Sequence, residues 1–112
     1  MTAKRDPQVL LPLTPAMFYV LVALADGASH GYAVLKEVER LTAGDVRLST
    51  GTLYGIIKRL LTEGLIHEQQ TDHQRRRLYE LTPFGRDVAR AEAARLEDTL
   101  AIARRKTLFR RA

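Results

Sequence analysis

The hydrophobic period changes twice along this chain, and those changes constrain its fold more than any other feature. Up to Gly64 the apolar residues recur at helical spacing, from Leu65 to Leu81 they fall into two short runs, and after Thr82-Pro83 the helical period returns. Residues 1–13 precede all of this with two prolines and no sustained period, and read as a flexible or partly ordered arm.

Thr14 followed by Pro15 is a helix start, with proline at the first position where its missing N–H does no harm. Phe18, Leu21, Val22, Leu24 and Ala25 form the buried stripe of helix one, which Asp26-Gly27 ends. Ser29 is expected to cap helix two, with Tyr32, Leu35, Val38 and Glu39 on successive turns and Gly44 closing it near Leu41. After a link at residues 45–48, Ser49-Thr50 is a capping pair for helix three, in which Leu53, Ile56, Ile57, Leu60 and Leu61 recur until Gly64. The runs 65–69 and 77–81 read as hairpin strands around a polar loop at 70–74. Thr82-Pro83 then starts a long helix from about Phe84 to Lys106 or beyond. The order predicts a mainly α (α+β) chain: a winged helix-turn-helix at 14–82 with a two-stranded wing, followed by a long C-terminal helix in 83–112.

On that final helix Ala89, Ala93, Leu96, Leu100 and Ala103 lie alternately four and three apart, as a seam for another helix requires. A second copy of the chain is the simplest cover, which makes this the expected dimerisation surface of a homodimer; the alternative is packing on the chain's own domain.

Composition narrows the partners. The 112 residues carry a formal charge of +5, an excess that favours polyanions such as nucleic acid or an anionic surface. No apolar run approaches the roughly 20 residues that cross a bilayer and no signal core follows Lys4 and Arg5, so a cytoplasmic protein without a membrane partner is expected. The chain has no cysteine, which removes disulfides, thiol nucleophiles and Cys-rich zinc sites. Three histidines, His30, His67 and His73, share no ligand spacing, and no nucleophile and base or phosphate-binding glycine motif occurs. Neither an enzyme, a metal site nor a cofactor is expected.

The start of helix three, Ser49, Thr50, Thr52 and Tyr54, offers short hydroxyls and free backbone N–H groups suited to a DNA groove, and Lys58 adds a charge one turn on. Ser49 or Thr50 also serves as cap, and partial core packing is the other reading of Tyr54. Arg75, Arg76 and Arg77 follow the hairpin tip, where strand geometry sends neighbours to opposite faces. They suit phosphates or the minor groove; the other reading is a charged edge strand that resists aggregation. The terminal cluster Arg104, Arg105, Lys106, Arg110 and Arg111 fits the negative end of a helix dipole better than DNA.

The runs Leu13-Thr-Pro-Ala-Met-Phe-Tyr-Val-Leu-Val-Ala-Leu, His30-Gly31-Tyr32, Ser49-Thr-Gly-Thr-Leu-Tyr54, Leu60-Leu-Thr-Glu-Gly-Leu-Ile66 and Arg76-Arg-Leu-Tyr-Glu-Leu-Thr-Pro-Phe-Gly85, in this order, resemble the PadR family of bacterial regulators. The resemblance implies a repressor of a neighbouring operon, acting as a homodimer on double-stranded DNA, with C-terminal helices cross-packed and wings flanking the recognition helices. It carries phosphate anchoring onto Thr52, Tyr54, Lys58 and the wing arginines. The chain departs from the family at Gly55, where a proline or similar residue often follows the tyrosine; glycine there lowers helix propensity by up to about 1 kcal/mol. Some relatives bind phenolic acids or flat cationic drugs, so a small aromatic or planar effector is a further expectation. With no tryptophan in the chain, its wall would come from Phe18, Tyr19 or Tyr32, each of which also reads as core. The rival class is a winged helix that binds a protein partner without specific DNA recognition.

Overall fold

The computed structural model describes residues 5–69, 76–106 and 108. Its elements run from a 3-10 helix at Pro7–Leu10 through α1 (Pro15–Ala23), β1 (Ser29–His30), α2 (Gly31–Leu41), α3 (Thr50–Thr62), β2 (Ile66–Gln69) and β3 (Leu78–Leu81) to α4 (Pro83–Arg104). This is a winged helix-turn-helix with a long C-terminal helix, as the period changes require.

The helix starts are set by local chemistry. The side chains of Thr14, Ser49 and Thr82 accept the N–H groups of Met17, Thr52 and Gly85, and Pro15 and Pro83 fill first positions that need no donor. Helix α3 stops at a Gly64 with φ of +76°, and the Leu65 N–H reaches back to the Leu60 carbonyl at 2.9 Å. That left-handed closure is what turns the chain from α3 into β2.

One expectation is corrected here. Ser29 does not cap α2: it pairs with Tyr79 in β1, and His30, paired with Leu78, takes the cap position without a side-chain hydrogen bond. The two-stranded wing is the β2-β3 hairpin, and β1 adds a third strand on the other side of β3, giving the sheet order β1-β3-β2. The backbone groups of β3 find partners on both sides, so its inner edge is covered. Of the segment expected to be a flexible or partly ordered arm, the described part from Arg5 onward packs against the fold. Leu13 is buried and donates its N–H to the Glu92 carboxylate at 2.8 Å, while Arg5 bonds Glu63 and lies 4.7 Å from the Phe84 ring centroid.

The core gathers Val20, Leu21 and Leu24 after the middle of α1, Val34, Leu35 and Val38 of α2, Leu53, Ile57 and Leu60 of α3, and Leu65, Ile66 and Tyr79 of the sheet region. Helix α1 ends at Ala23, so Leu24 enters this core from the following turn. Val88 brings the start of α4 into the same cluster. The approach there is so close that a Cβ on Gly85 would stand 1.8 Å from the Leu65 carbonyl oxygen, which only glycine permits.

Candidate nucleic-acid interface

Helix α3 divides cleanly between two faces. Leu53, Ile57 and Leu60, at helical spacing, are buried, and Thr50, Gly51, Thr52, Tyr54, Gly55, Lys58 and Arg59 are exposed. Ser49 does the capping: its hydroxyl oxygen accepts the Thr52 N–H at 3.1 Å and its O–H donates to the Thr52 Oγ1 at 2.9 Å. Thr50 stands exposed as the first residue of the helix, and Tyr54 is 47% exposed rather than core.

Tyr54 opens onto a groove of about 450 Å³ that it shares with His30, Gly31, Tyr32, Ala33, Arg76 and Arg77. Three parts of the chain meet there: the start of α2, the exposed face of α3 and the base of the wing. β1 is what brings them together, because its pairing with β3 lays the entry of α2 beside Arg77; the His30 Nδ1 lies 3.3 Å from the Arg77 carbonyl oxygen. Arg76 and Arg77 are exposed, and the Arg77 guanidinium is 3.6 Å from a Glu68 carboxylate oxygen across the sheet. An ion pair so exposed holds the side chain only loosely. Arg75 and the hairpin tip lie outside the described residues. Beneath the groove Tyr79 is buried, and burial, together with the nearby Glu68 and Tyr54, raises its hydroxyl pKa against the opposing influence of Arg77.

Sequence reasoning assigned Tyr32 to a stripe of α2 residues and to an effector wall; the structure leaves it 69% exposed, with the Lys36 ammonium 5.5 Å from its ring centroid. The buried stripe of α2 is Gly31, Val34, Leu35 and Val38, a helical spacing that begins one residue earlier. Phe18 and Tyr19 are half-buried against the core with ring centroids 6.3 Å apart, and neither lines the groove that Tyr32 shares with Tyr54. His30, unassigned from sequence, is in that groove. Among the described residues no group of His, Asp and Glu is placed to hold a metal ion, and no helix is long and apolar enough to cross a membrane.

The expected seam on α4 is divided. Ala89 and Ala93 are half-buried beside Val88 and Glu92, which face the chain's own domain. Leu96 and Leu100 are about 40% exposed, Ala103 is half-buried, and Ile102 beside them is 60% exposed.

The model of the Transcriptional regulator PadR-like family matches residues 20–91. Transcriptional regulator Rv3488 of Mycobacterium tuberculosis is 34% identical over 82 residues, covering 71% of this chain and 74% of its own. An uncharacterized protein of transposon TN4556 from Streptomyces fradiae is 40% identical over 78 residues, 70% of this chain but only 22% of that longer protein. Among solved structures, a transcriptional regulator from Clostridium thermocellum superposes with a TM-score of 0.72 at 25% identity, covering 85% of this chain and 89% of its own. BpsR of Bordetella bronchiseptica, whose DNA binding is regulated by 6-hydroxynicotinic acid, gives a TM-score of 0.64 at 31% identity over 79% of this chain and 58% of its own. Bacillus subtilis PadR in complex with operator DNA shares the fold, with a TM-score of 0.63 at 20% identity over 71% of this chain and 47% of its own. The family and these regulators are not enzymes, and a winged helix whose sequence matches the family from α1 into α4 belongs to the PadR-like transcriptional regulators.

Proposed function

We propose that the chain is a sequence-specific DNA-binding repressor that acts as a homodimer on a pseudo-palindromic operator. The observation that carries this reading is the shared groove, where the exposed face of α3 and the wing arginines stand together around Tyr54. Helix α3 enters the major groove, with Ser49, Thr50, Thr52 and Tyr54 at its leading end and Lys58 on the flanking backbone. Arg76 and Arg77, and Arg75 beside them in sequence, take the phosphates or the adjacent minor groove. Leu96 and Leu100, with Ala103, are covered by the same helix of a second copy, while Ala89 and Ala93 serve both the domain and the seam. Two α3 helices then address half-sites about one DNA turn apart.

A gel-shift titration against the chain's own promoter region and a scrambled control, at two salt concentrations, tests the reading. Tight, selective and salt-sensitive binding is expected. Equal weak binding to both DNAs contradicts it and favours a winged helix that binds a protein partner. Release by a small aromatic or planar effector belongs to the same proposal, with Phe18, Tyr19 and Tyr32 as its candidate contacts. A thermal-shift screen in which no phenolic compound or planar cation stabilises the protein counts against that part alone.

A further inference from the structure

Gly31 is the first residue of α2 and is buried, yet its backbone is not in the left-handed region that favours glycine. Alanine would be the better helix former at this point. The requirement comes from above. A Cβ on Gly31 would stand 2.7 Å from the Tyr54 hydroxyl oxygen, 3.1 Å from its Cζ and 3.4 Å from its Cε1. All three neighbours belong to one ring, so the space at position 31 is the space of the Tyr54 phenol. Gly85 is a useful contrast, because the atom that forbids a side chain there is a backbone carbonyl oxygen that cannot yield. At Gly31 the obstacle is the far end of a side chain that projects from the exposed face of α3 and is 47% exposed.

We propose that Gly31 is the positioning residue of the recognition surface: by leaving its own side chain out, it lets the Tyr54 phenol lie across the start of α2 and fixes where its hydroxyl is presented in the groove with Arg76 and Arg77. The inference rests on the reading of Tyr54 as a DNA contact. Its physical content is preorganisation. A ring seated on α2 before DNA arrives has fewer conformations to give up on binding than a ring swinging freely from α3. It also ties the first helix-turn-helix helix to the second through a side chain that both need, so the angle between α2 and α3 bears directly on what the surface reads.

Gly31→Ala is the test, because a methyl group displaces the ring without obstructing backbone. In the free protein, carrying ¹³C-labelled tyrosine rings, the Tyr54 signals, identified by their loss in Tyr54→Phe, should shift in Gly31→Ala while the thermal midpoint stays near that of the parent. Binding to the promoter fragment should weaken by about tenfold, the effect of misplacing one good polar contact. In a Tyr54→Ala background the same substitution should weaken binding no further. Tyr54 signals that do not move, or an equal loss in both backgrounds, would overturn the proposal. If the parent protein fails to select its promoter, the DNA reading fails, and the ring signals still decide whether Gly31 positions Tyr54.

Discussion

Among the described residues two surfaces of this small regulator stand exposed, and they differ in kind. Around Tyr54 the uncovered atoms are hydroxyls, aromatic edges and guanidinium groups, whereas on the outer half of α4 they are the side chains of Leu96, Leu100 and Ile102. The first suits a polyanion, whose binding releases counterions and weakens with salt. The second suits another apolar helix, and burying it responds little to salt. On the proposed function, the difference means that the chain divides its surface between reading DNA and assembly. The division falls inside α4, where Val88 and Glu92 belong to the domain and Leu96 onward does not.

The comparison breaks most dramatically if α4 is made polar. Leu96→Asp together with Leu100→Asp should abolish self-association in analytical ultracentrifugation and leave the far-ultraviolet dichroism near that of the parent. Operator affinity should then fall by about a hundredfold or more, because linked half-sites gain their avidity from the linkage. A double variant that remains dimeric would show that this face is not the interface.

Removing the anchor on the inner half of α4 should come next in size. Glu92 is 1% exposed and binds the Leu13 N–H and the Arg95 guanidinium. Glu92→Ala leaves a buried donor unpaired and should cost about 1–3 kcal/mol in urea unfolding, without changing salt dependence on DNA. The pH dependence follows from the same contacts. Hydrogen bonds from Arg95 and then from Leu13 hold the Glu92 carboxyl below its ordinary pKa in the folded protein, although burial opposes them. A carboxyl lowered by folding stabilises the protein fully above its unfolded pKa and loses that contribution as pH falls through the folded value. Glu92→Gln should therefore flatten the loss of stability on acidification below the usual carboxylate range; an unchanged acid slope would assign that loss to other carboxylates.

A smaller and more selective effect is expected at the reading end. Thr52→Val keeps the shape of the side chain and removes its hydroxyl, so base preference should change at one position per half-site by about 1 kcal/mol, the lower end of a base contact. Competition with single-base variants of the operator measures it, and a uniform loss across all of them would place Thr52 on the backbone instead.

The parts of this fold legible in sequence are those whose causes are local. Thr14-Pro15, Ser49 and Thr82-Pro83 announce their helices because a cap acts within three residues, and Gly64 announces a turn because its φ is positive. β1 was not legible: two residues cannot show alternation, and Ser29 offers the same hydroxyl a cap would. The ordering of residues 5–13 was equally hidden, since the carboxylate that receives the Leu13 N–H is 79 positions away. At the candidate interface the exposed face of α3 could be read from the helical spacing of its apolar residues. The part played by α2 could not, because Tyr32 read as one turn of an apolar stripe that in fact starts at Gly31. The seam of α4 was visible as a period, but a period cannot say where cover by the chain's own domain stops.

The most direct test of the groove is the salt dependence of operator binding, measured by fluorescence anisotropy for the parent and for the Arg76→Ala, Arg77→Ala variant. If both arginines neutralise phosphates, the slope of log affinity against log salt should fall by about one for each, and affinity for all sequences should drop together. A slope that does not change, with affinity intact, would take the wing arginines off the DNA and contradict the placement of the interface around Tyr54.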